Sequence, residues 1–118
     1  MNDLTPHYSP YMKAGNLIFT SGQLPLIDTK LKISATGIEA QTRLVLEKIE
    51  NLLRQEGLSK NDIVKTTAFL TNIADWDIVN AIYKDFFGEH KPARSIIPVG
   101  QLHYGCLIEL EAVAYVGD

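Results

Sequence analysis

Two helix patterns, each with a single apolar face, limit the folds open to this chain more than any other feature. One covers residues 36–57 and the other covers residues 72–88. A helix that is apolar on one side only must pack against another layer there and face water on its other side. The apolar positions are Ile38, Val45, Ile49, Leu52 and Leu53 in the first pattern, and Trp76, Val79, Tyr83 and Phe86 in the second.

The ends of both helices carry recognisable signals. Thr36 and Glu39 have the spacing of a capping box, in which each side chain bonds a free backbone N–H of the other residue. Gly57 suits the left-handed residue that follows a helix, and Leu58 supplies the apolar residue after it. Gly88 predicts the end of the second helix in the same way.

Five further runs have the alternation or the β-branched content of strands. Pro98 lacks an N–H, which favours either an edge position for its strand or a bulge there. The order β-β-α-β-α-β-β predicts an α+β fold in one domain of residues 1–118, with both helices on one face of a single sheet. The segment before the first strand is predicted to be irregular. The strand runs cover residues 16–22, 23–33, 63–71, 94–102 and 106–116, and a tight turn at 103–105 joins the last two.

The last strand, LIELEAVAY, shows the two faces of that sheet. Its even positions, from Ile108 to Ala114, are all apolar and suit the side under the helices. Its odd positions place Glu109 and Glu111 together on the other side, beside Val113 and Tyr115. A solvated face would carry more charge and a closed core would carry none. The mixture is typical of an interface between subunits that contains polar pockets.

Arg94 stands at the head of the apolar run in KPARSIIPVG. A guanidinium group keeps its charge, and burying it without a partner is costly. If the last two strands form a hairpin, Arg94 can lie on one face with Glu109 or Glu111 and form a structural salt bridge. Alternatively Arg94 is a receptor for a ligand carboxylate, which the guanidinium fork matches with two parallel hydrogen bonds.

Other polar residues also allow two interpretations. Glu109 and Glu111 are either part of a solvated face, or one of them is a proton shuttle whose pKa is raised in an apolar pocket. Asn80 is either a core amide or a group that faces a polar cavity. Tyr11 fits simple packing, and Ser21 has no base placed near it by spacing, so a strand end explains it better than a nucleophile.

Charge and residue usage argue against several classes of function. The net charge of −3 provides no basic field for nucleic acid or anionic lipid. The three histidines have no paired ligand spacing, and no phosphate-binding glycine loop is present, so we expect no metal and no cofactor. Cys106 is the only cysteine and suits a small buried residue. With no signal peptide and no apolar run approaching the ~20 residues of a membrane span, a cytoplasmic protein is expected.

The motifs PARSIIPV and LIELEAVAYV together resemble the signature of the Rid family, the reactive intermediate deaminases, also called the YjgF or L-PSP family. The similarity extends over about residues 8–116. It includes SPYMKAGNLIFTSGQLPL near the start and DIVKTTAFLTNIADWDIVNAIYKDFFGEH in the middle. The resemblance implies a trimer of chorismate-mutase-like α+β subunits with active sites in the clefts between them. It also implies hydrolysis of 2-imino acids, such as 2-iminopropanoate and 2-iminobutanoate, to 2-oxo acids and ammonia.

The resemblance also implies roles for individual residues. The carboxylate-binding arginine of the family falls on Arg94, and the glutamate that positions or activates water falls on Glu109. Ile96 is a departure, because many members carry a cysteine at this position, and it should make the pocket wall more apolar. The remaining positions implied to line the site are Tyr11, Asn80, and the backbone at Ser21 and Gly22.

Two other functions compete with the deaminase. The same arginine pocket would serve a module that binds 2-oxo or short carboxylic acids without turnover. Some members of the family have been described as ribonucleases or translation inhibitors, but the net charge of −3 argues against nucleic acid as the main partner here. Release of ammonia from freshly generated imine distinguishes the enzyme from the binding module.

Overall fold

The two helix patterns form α-helices Gly37–Arg54 (α1) and Trp76–Phe87 (α2) in a computed structural model that describes residues 5–117. Within these residues no helix has the length and apolar character needed to cross a membrane. The strands are β1 (Tyr11–Ala14), β2 (Leu17–Thr20), β3 (Leu26–Asp28), β4 (Ile33–Ser34), β5 (Ile63–Leu70), β6 (Ala93–Pro98) and β7 (Ile108–Tyr115).

Five of the strands form one sheet in the order β1-β2-β7-β5-β6. β5 and β6 are parallel, and the other neighbours are antiparallel. Parallel strands need a crossover connection, and α2 provides it between β5 and β6. Both helices pack on one face of this sheet, which confirms the predicted α+β architecture. Pro98 lies in an edge strand, as predicted from its missing N–H.

The core lies between the helices and the even positions of β7. Val45 and Ile49 of α1 are fully buried there, together with Val79 of α2 and with Ile108 and Leu110 of β7. The single apolar stripe of each helix therefore packs where the sequence pattern requires. Apolar burial of this kind is the main stabilising contribution to a domain of this size.

The opposite face of the sheet carries the odd positions of β7 and their neighbours on other strands. Phe19, Ile97 and Tyr115 on this face are 44%, 41% and 40% exposed. Glu109 and Glu111 lie among them, since they pair with Phe69 and Thr67 of β5. We call this surface the open face. Its mixture of apolar side chains and two carboxylates matches the pattern predicted from the sequence.

The helix ends were predicted only in part. Gly57 has a φ of 73°, and Leu58 N–H donates to the Leu53 carbonyl at 3.0 Å, which confirms the predicted end of α1. Thr36 precedes α1 but its side chain makes no capping hydrogen bond, so the predicted capping box is wrong. Gly37 has a φ of 84°, and this left-handed turn moves Thr36 out of the capping geometry.

Two predictions about the strands were also wrong. The opening segment is not irregular throughout, because β1 pairs with β2 across a two-residue turn at Gly15 and Asn16. A Gly-Asn pair between two runs is a known hairpin signal. The single strand predicted over 23–33 is replaced by two short strands, β3 (Leu26–Asp28) and β4 (Ile33–Ser34), which pair with each other in a separate sheet.

The proposed hairpin of the last two strands does not form. β6 pairs in parallel with β5, and β5 lies between β6 and β7. The turn at His103–Gly105 therefore leads into a strand two positions away in the sheet. The physical reason is that β5 pairs with β6 along one edge and with β7 along the other, and a short turn signal cannot reveal this long-range pairing.

Truncation of a core side chain tests this packing. Ile49 is 0% exposed, so Ile49→Ala should lower the free energy of unfolding by about 2–5 kcal/mol through lost burial and the cavity left behind. Urea denaturation at a fixed protein concentration measures this free energy of unfolding. The control is Ile27→Ala, at a site 66% exposed, which should change the value by no more than about 0.5 kcal/mol. Equal effects of the two substitutions would contradict the assigned core.

Candidate active site

Arg94 lies on the side of the sheet that the helices cover. It pairs with Thr66 of β5, which pairs in turn with Ala112 of β7, and paired residues share a face. Thr66 is fully buried and its hydroxyl lies 2.9 Å from the hydroxyl of Tyr83 on α2. The register therefore directs the Arg94 side chain toward α2 at the β6 edge of the sheet.

The guanidinium group is held by neutral partners. Arg94 Nη1 donates to Asn80 Oδ1 of α2 at 3.0 Å. Its central carbon lies 5.2 Å from the ring centroid of Trp76 and 4.9 Å from that of Tyr83. Amide and aromatic groups orient a cation but do not neutralise its charge. Burial raises the pKa of Tyr83 to about 12, although its hydrogen bond with Thr66 and the Arg94 charge oppose the shift, so its hydroxyl stays neutral.

Arg94 has no carboxylate partner within residues 5–117, where the ion pairs involve Lys13, Arg43 and Arg54 instead. Most of its five N–H donors remain available for a ligand. A cleft of about 570 Å³ opens beside the guanidinium, and Asn80 and Tyr83 line it together with Arg94. A fixed cation next to an open cleft is the arrangement of an anion receptor.

Glu109 lies on the open face instead. Its carboxyl group rests against Gly22, and a methyl group added at Gly22 would come within 2.8 Å of Glu109 Cδ. Partial burial raises the pKa of Glu109, the nearby charge of Glu111 raises it further, and His103 opposes this shift. The absence of a side chain at Gly22 thus leaves room for a glutamate that retains its proton to higher pH than usual.

Within one chain, Arg94 and Glu109 lie on opposite faces of the sheet. Arg94 shares its face with Thr66, whereas Glu109 pairs with Phe69 on the other face. β5 also separates their strands. The structural salt bridge between Arg94 and Glu109 or Glu111 is therefore wrong, because strand alternation and strand order both keep the groups apart.

Tyr11 lies at the far edge of the sheet, in β1, four strand spacings of about 4.8 Å from β6. Its hydroxyl donates to Glu56 Oε2 at 2.8 Å, and Lys13 Nζ lies 3.0 Å from Glu56 Oε1. The hydrogen bond to Glu56 raises the pKa of Tyr11, and the bonds from Lys13 and Tyr11 lower the pKa of Glu56. Tyr11 is therefore held in one orientation by an ionised carboxylate.

Ser21 and Ile96 have local roles in one chain. Ser21 Oγ donates to the Ser9 carbonyl at 2.6 Å, and Ser21 N–H donates to the Pro10 carbonyl at 2.8 Å. Ser21 thereby fixes the segment before β1 next to Gly22. Ile96 pairs with Ala68 and packs against the core on the helix side. The sequence-predicted residues thus fall into separate groups, with Arg94 beside Asn80, Glu109 beside Gly22, and Tyr11 apart.

Sequence reasoning missed the side chains that surround Arg94 and Tyr11. Trp76 and Tyr83 were assigned only to the apolar stripe of α2, yet they also flank the guanidinium. Their spacing from Asn80, at four residues before and three after, is a signal that could have placed them on one helix face. Glu56 gave no such signal, because its contact with Tyr11 spans 45 residues of sequence.

Neither a metal centre nor a reactive thiol is evident in residues 5–117. No group of three His, Cys, Asp or Glu side chains there is placed to hold a metal ion. Cys106 is 1% exposed, and burial raises the pKa of its thiol. A buried thiol with a raised pKa is a poor nucleophile.

Comparison with known proteins gives consistent similarities. The model of the family described as Endoribonuclease L-PSP matches residues 2–116. A RutC family protein of Pyrococcus abyssi is 42% identical over 92% of this chain and 85% of its own length. The 2-iminobutanoate/2-iminopropanoate deaminase of Salmonella typhimurium is 40% identical over 89% of this chain and 86% of its own length. The crystal structure of Escherichia coli TdcF with bound serine superimposes with a TM-score of 0.84 at 34% identity, over 96% of this chain and 90% of that one.

The repulsion between the two open-face glutamates can be measured. Glu111→Gln removes a negative charge, so the pKa of Glu109 should fall. NMR titration of the glutamate carboxyl carbons measures the pKa of Glu109. Because the folded pKa of Glu109 is raised, stability is lost as pH rises through that pKa, and Glu111→Gln should reduce this loss. Glu47→Gln on α1 is the control. An unchanged Glu109 pKa in Glu111→Gln would contradict the assigned interaction.

Proposed function

This chain belongs to the L-PSP family, also called the Rid or YjgF family, and from that premise we propose that it is a deaminase of reactive 2-imino acids. It hydrolyses them to 2-oxo acids and ammonia, and 2-iminopropanoate and 2-iminobutanoate are the simplest substrates. The observation that carries the proposal is the Arg94 guanidinium, oriented by Asn80 beside an open cleft without a carboxylate partner in residues 5–117.

Arg94 provides the substrate grip in this proposal. A carboxylate accepts two parallel hydrogen bonds from the guanidinium fork, which fixes both position and orientation. Asn80 and the aromatic rings of Trp76 and Tyr83 hold the fork before the substrate arrives. Orientation of this kind lowers the barrier because the reacting carbon is held next to its nucleophile.

Glu109 transfers the proton in this proposal. A water oxygen adds to the carbon of the C=N bond, and its proton passes through Glu109 to the substrate nitrogen. The hydroxyl proton of the resulting aminol then passes through Glu109 to the amino nitrogen, the C–N bond breaks, and ammonia leaves as the C=O bond of the 2-oxo acid forms. The raised pKa of Glu109 suits a group that accepts and returns a proton, which contributes about 10²–10⁴-fold to a rate.

A complete site requires two subunits in this proposal. Because Arg94 and Glu109 lie on opposite faces of one sheet, the β6 edge of one subunit must meet the open face of another. The exposed Phe19, Ile97 and Tyr115 make that face suitable for association. We therefore propose a homotrimer with sites between subunits, in which Tyr11, Ser21 and Gly22 line the same clefts.

Substitution of Arg94 tests whether this residue binds the substrate carboxylate. In an assay where an amino-acid oxidase supplies imine and ammonia release is followed, Arg94→Ala should lower kcat/KM by roughly 30- to 5,000-fold, the effect of losing about 2–5 kcal/mol from a buried charge pair. Arg94→Lys should also lose most activity, since a point charge cannot replace the fork. Arg43→Ala, on the surface of α1, is the control.

Other outcomes of this assay point to the competing functions. Wild-type protein that binds 2-oxo acids but does not accelerate ammonia release would identify a binding module. Cleavage of RNA that disappears in Arg94→Ala would support a ribonuclease. Full activity of Arg94→Ala on imines would overturn the proposed role of the arginine.

Subunit mixing tests whether one site uses two chains. Arg94→Ala and Glu109→Gln should each be nearly inactive. When the two variants are unfolded together at equal amounts and refolded, random assembly should restore about one site in four, because some clefts then receive an intact Arg94 and an intact Glu109 from different subunits. Ammonia release measures the recovery, and sedimentation measures the assembly. No recovery in mixed oligomers, or a monomer at micromolar concentration, would contradict the shared site.

A further inference from the structure

The cleft beside Arg94 is larger than a small imino acid requires. Its volume is about 570 Å³, within the roughly 300–1,000 Å³ typical of pockets for drug-sized ligands. An imino acid of three or four carbons fills only part of that space. The rest of the cleft lining therefore influences which substrates bind. This inference rests on the proposed function.

That remaining lining is positively charged. Lys84 and Lys91 line the cleft together with Arg94, and Glu89 is its one carboxylate. Within residues 5–117 neither lysine forms an ion pair. The cleft thus has a charge excess of two in a chain whose net charge is −3. A concave surface of one sign concentrates ligands of the opposite sign, and most strongly those with more than one charge.

The positions of the two lysines suit a second acid group. Lys84 follows Asn80 by four residues on α2, so it lies on the same helix face about 6 Å further along the axis. Asn80 holds Arg94, which places Lys84 roughly one helical turn beyond the substrate grip. Lys91 belongs to the segment that joins α2 to β6. The chain between the carboxylates of a short dicarboxylic acid spans such a separation.

Two other polar side chains that line the cleft, His90 and Tyr83, have partners of their own. His90 Nε2 lies 2.7 Å from the Ile63 carbonyl, and its ring packs against Phe87. Tyr83 is bound to Thr66 through its hydroxyl. Lys84 and Lys91 are exposed, and a lysine ammonium group offers three donors on a flexible four-carbon stem.

We propose that this cleft selects dicarboxylic 2-imino acids of four or five carbons. Arg94 binds the carboxylate next to the C=N bond, and Lys84 and Lys91 bind the carboxylate of the side chain. The reaction is unchanged, since water adds to the C=N carbon, ammonia leaves and a dicarboxylic 2-oxo acid forms. The class of reaction that supplies such a substrate is the oxidation of an acidic amino acid to its imine.

The activity test compares two substrates in the same variants. Imines are generated from aspartate and from alanine by amino-acid oxidases, and kcat/KM for ammonia release is measured for each. In Lys84→Met/Lys91→Met, the value for the dicarboxylic imine should fall about tenfold more than the value for the alanine imine, the effect of two partly exposed charge contacts. Lys30→Met, in the turn between β3 and β4, is the control for loss of a lysine charge away from the cleft. An equal fall for both imines, or no fall, would overturn the proposal.

A binding test separates this proposal from the proposed function. Calorimetry should show that wild-type protein binds 2-oxoglutarate more tightly than 2-oxobutanoate, and that the double lysine variant loses this preference. Inorganic phosphate serves as a competitor, and stronger binding of phosphate than of 2-oxoglutarate would overturn the dicarboxylate assignment. If no imine is hydrolysed but the lysine-dependent preference persists, the deaminase proposal fails and the second acid site stands. If small imines are hydrolysed without that preference, only the second acid site fails.

Discussion

The alternation of side chains along β5, β6 and β7 is the constraint on which the candidate chemistry depends. It directs Arg94 toward α2 and Glu109 toward the open face, and β5 keeps their strands apart. A hairpin of the last two strands would have allowed these two groups to form a salt bridge, but in the structure they lie apart. Each of the two groups is therefore available to a partner outside its own chain. In the proposed trimer that partner is a substrate bound where two subunits meet.

The surroundings of Arg94 explain how a charge can be kept available without disrupting the fold. An unpaired guanidinium in a fully apolar site would be very unfavourable. Here the amide of Asn80 accepts one hydrogen bond, and two aromatic rings stabilise the cation through their faces. None of these contacts removes the positive charge. The same cleft is lined by Lys84 and Lys91, and for that reason we propose a site for two acid groups rather than one.

The open face carries two kinds of side chain with opposite preferences for burial. Its exposed apolar side chains favour association, whereas its two glutamates resist burial. Gly22 eases the conflict because it lets the Glu109 carboxyl group lie against bare backbone. The resulting rise in the pKa of Glu109 makes protonation easier, which lowers the cost of burying this group and also suits it to proton transfer.

Local patterns in the sequence determined both helices, the apolar alternation of β7, the end of α1 at Gly57 and the face on which each glutamate lies. These features depend on residues a few positions apart, so periodicity reveals them. Only the tertiary structure decided that β5 lies between β6 and β7, that β3 and β4 leave the main sheet, and that Glu56 holds Tyr11 across 45 residues. Alternation fixes the face of a side chain within its own strand, but the neighbouring strand is selected by backbone pairing over long distances in the chain. For that reason the sequence indicated the candidate site residues, and the fold decided which of them lie close together within one chain.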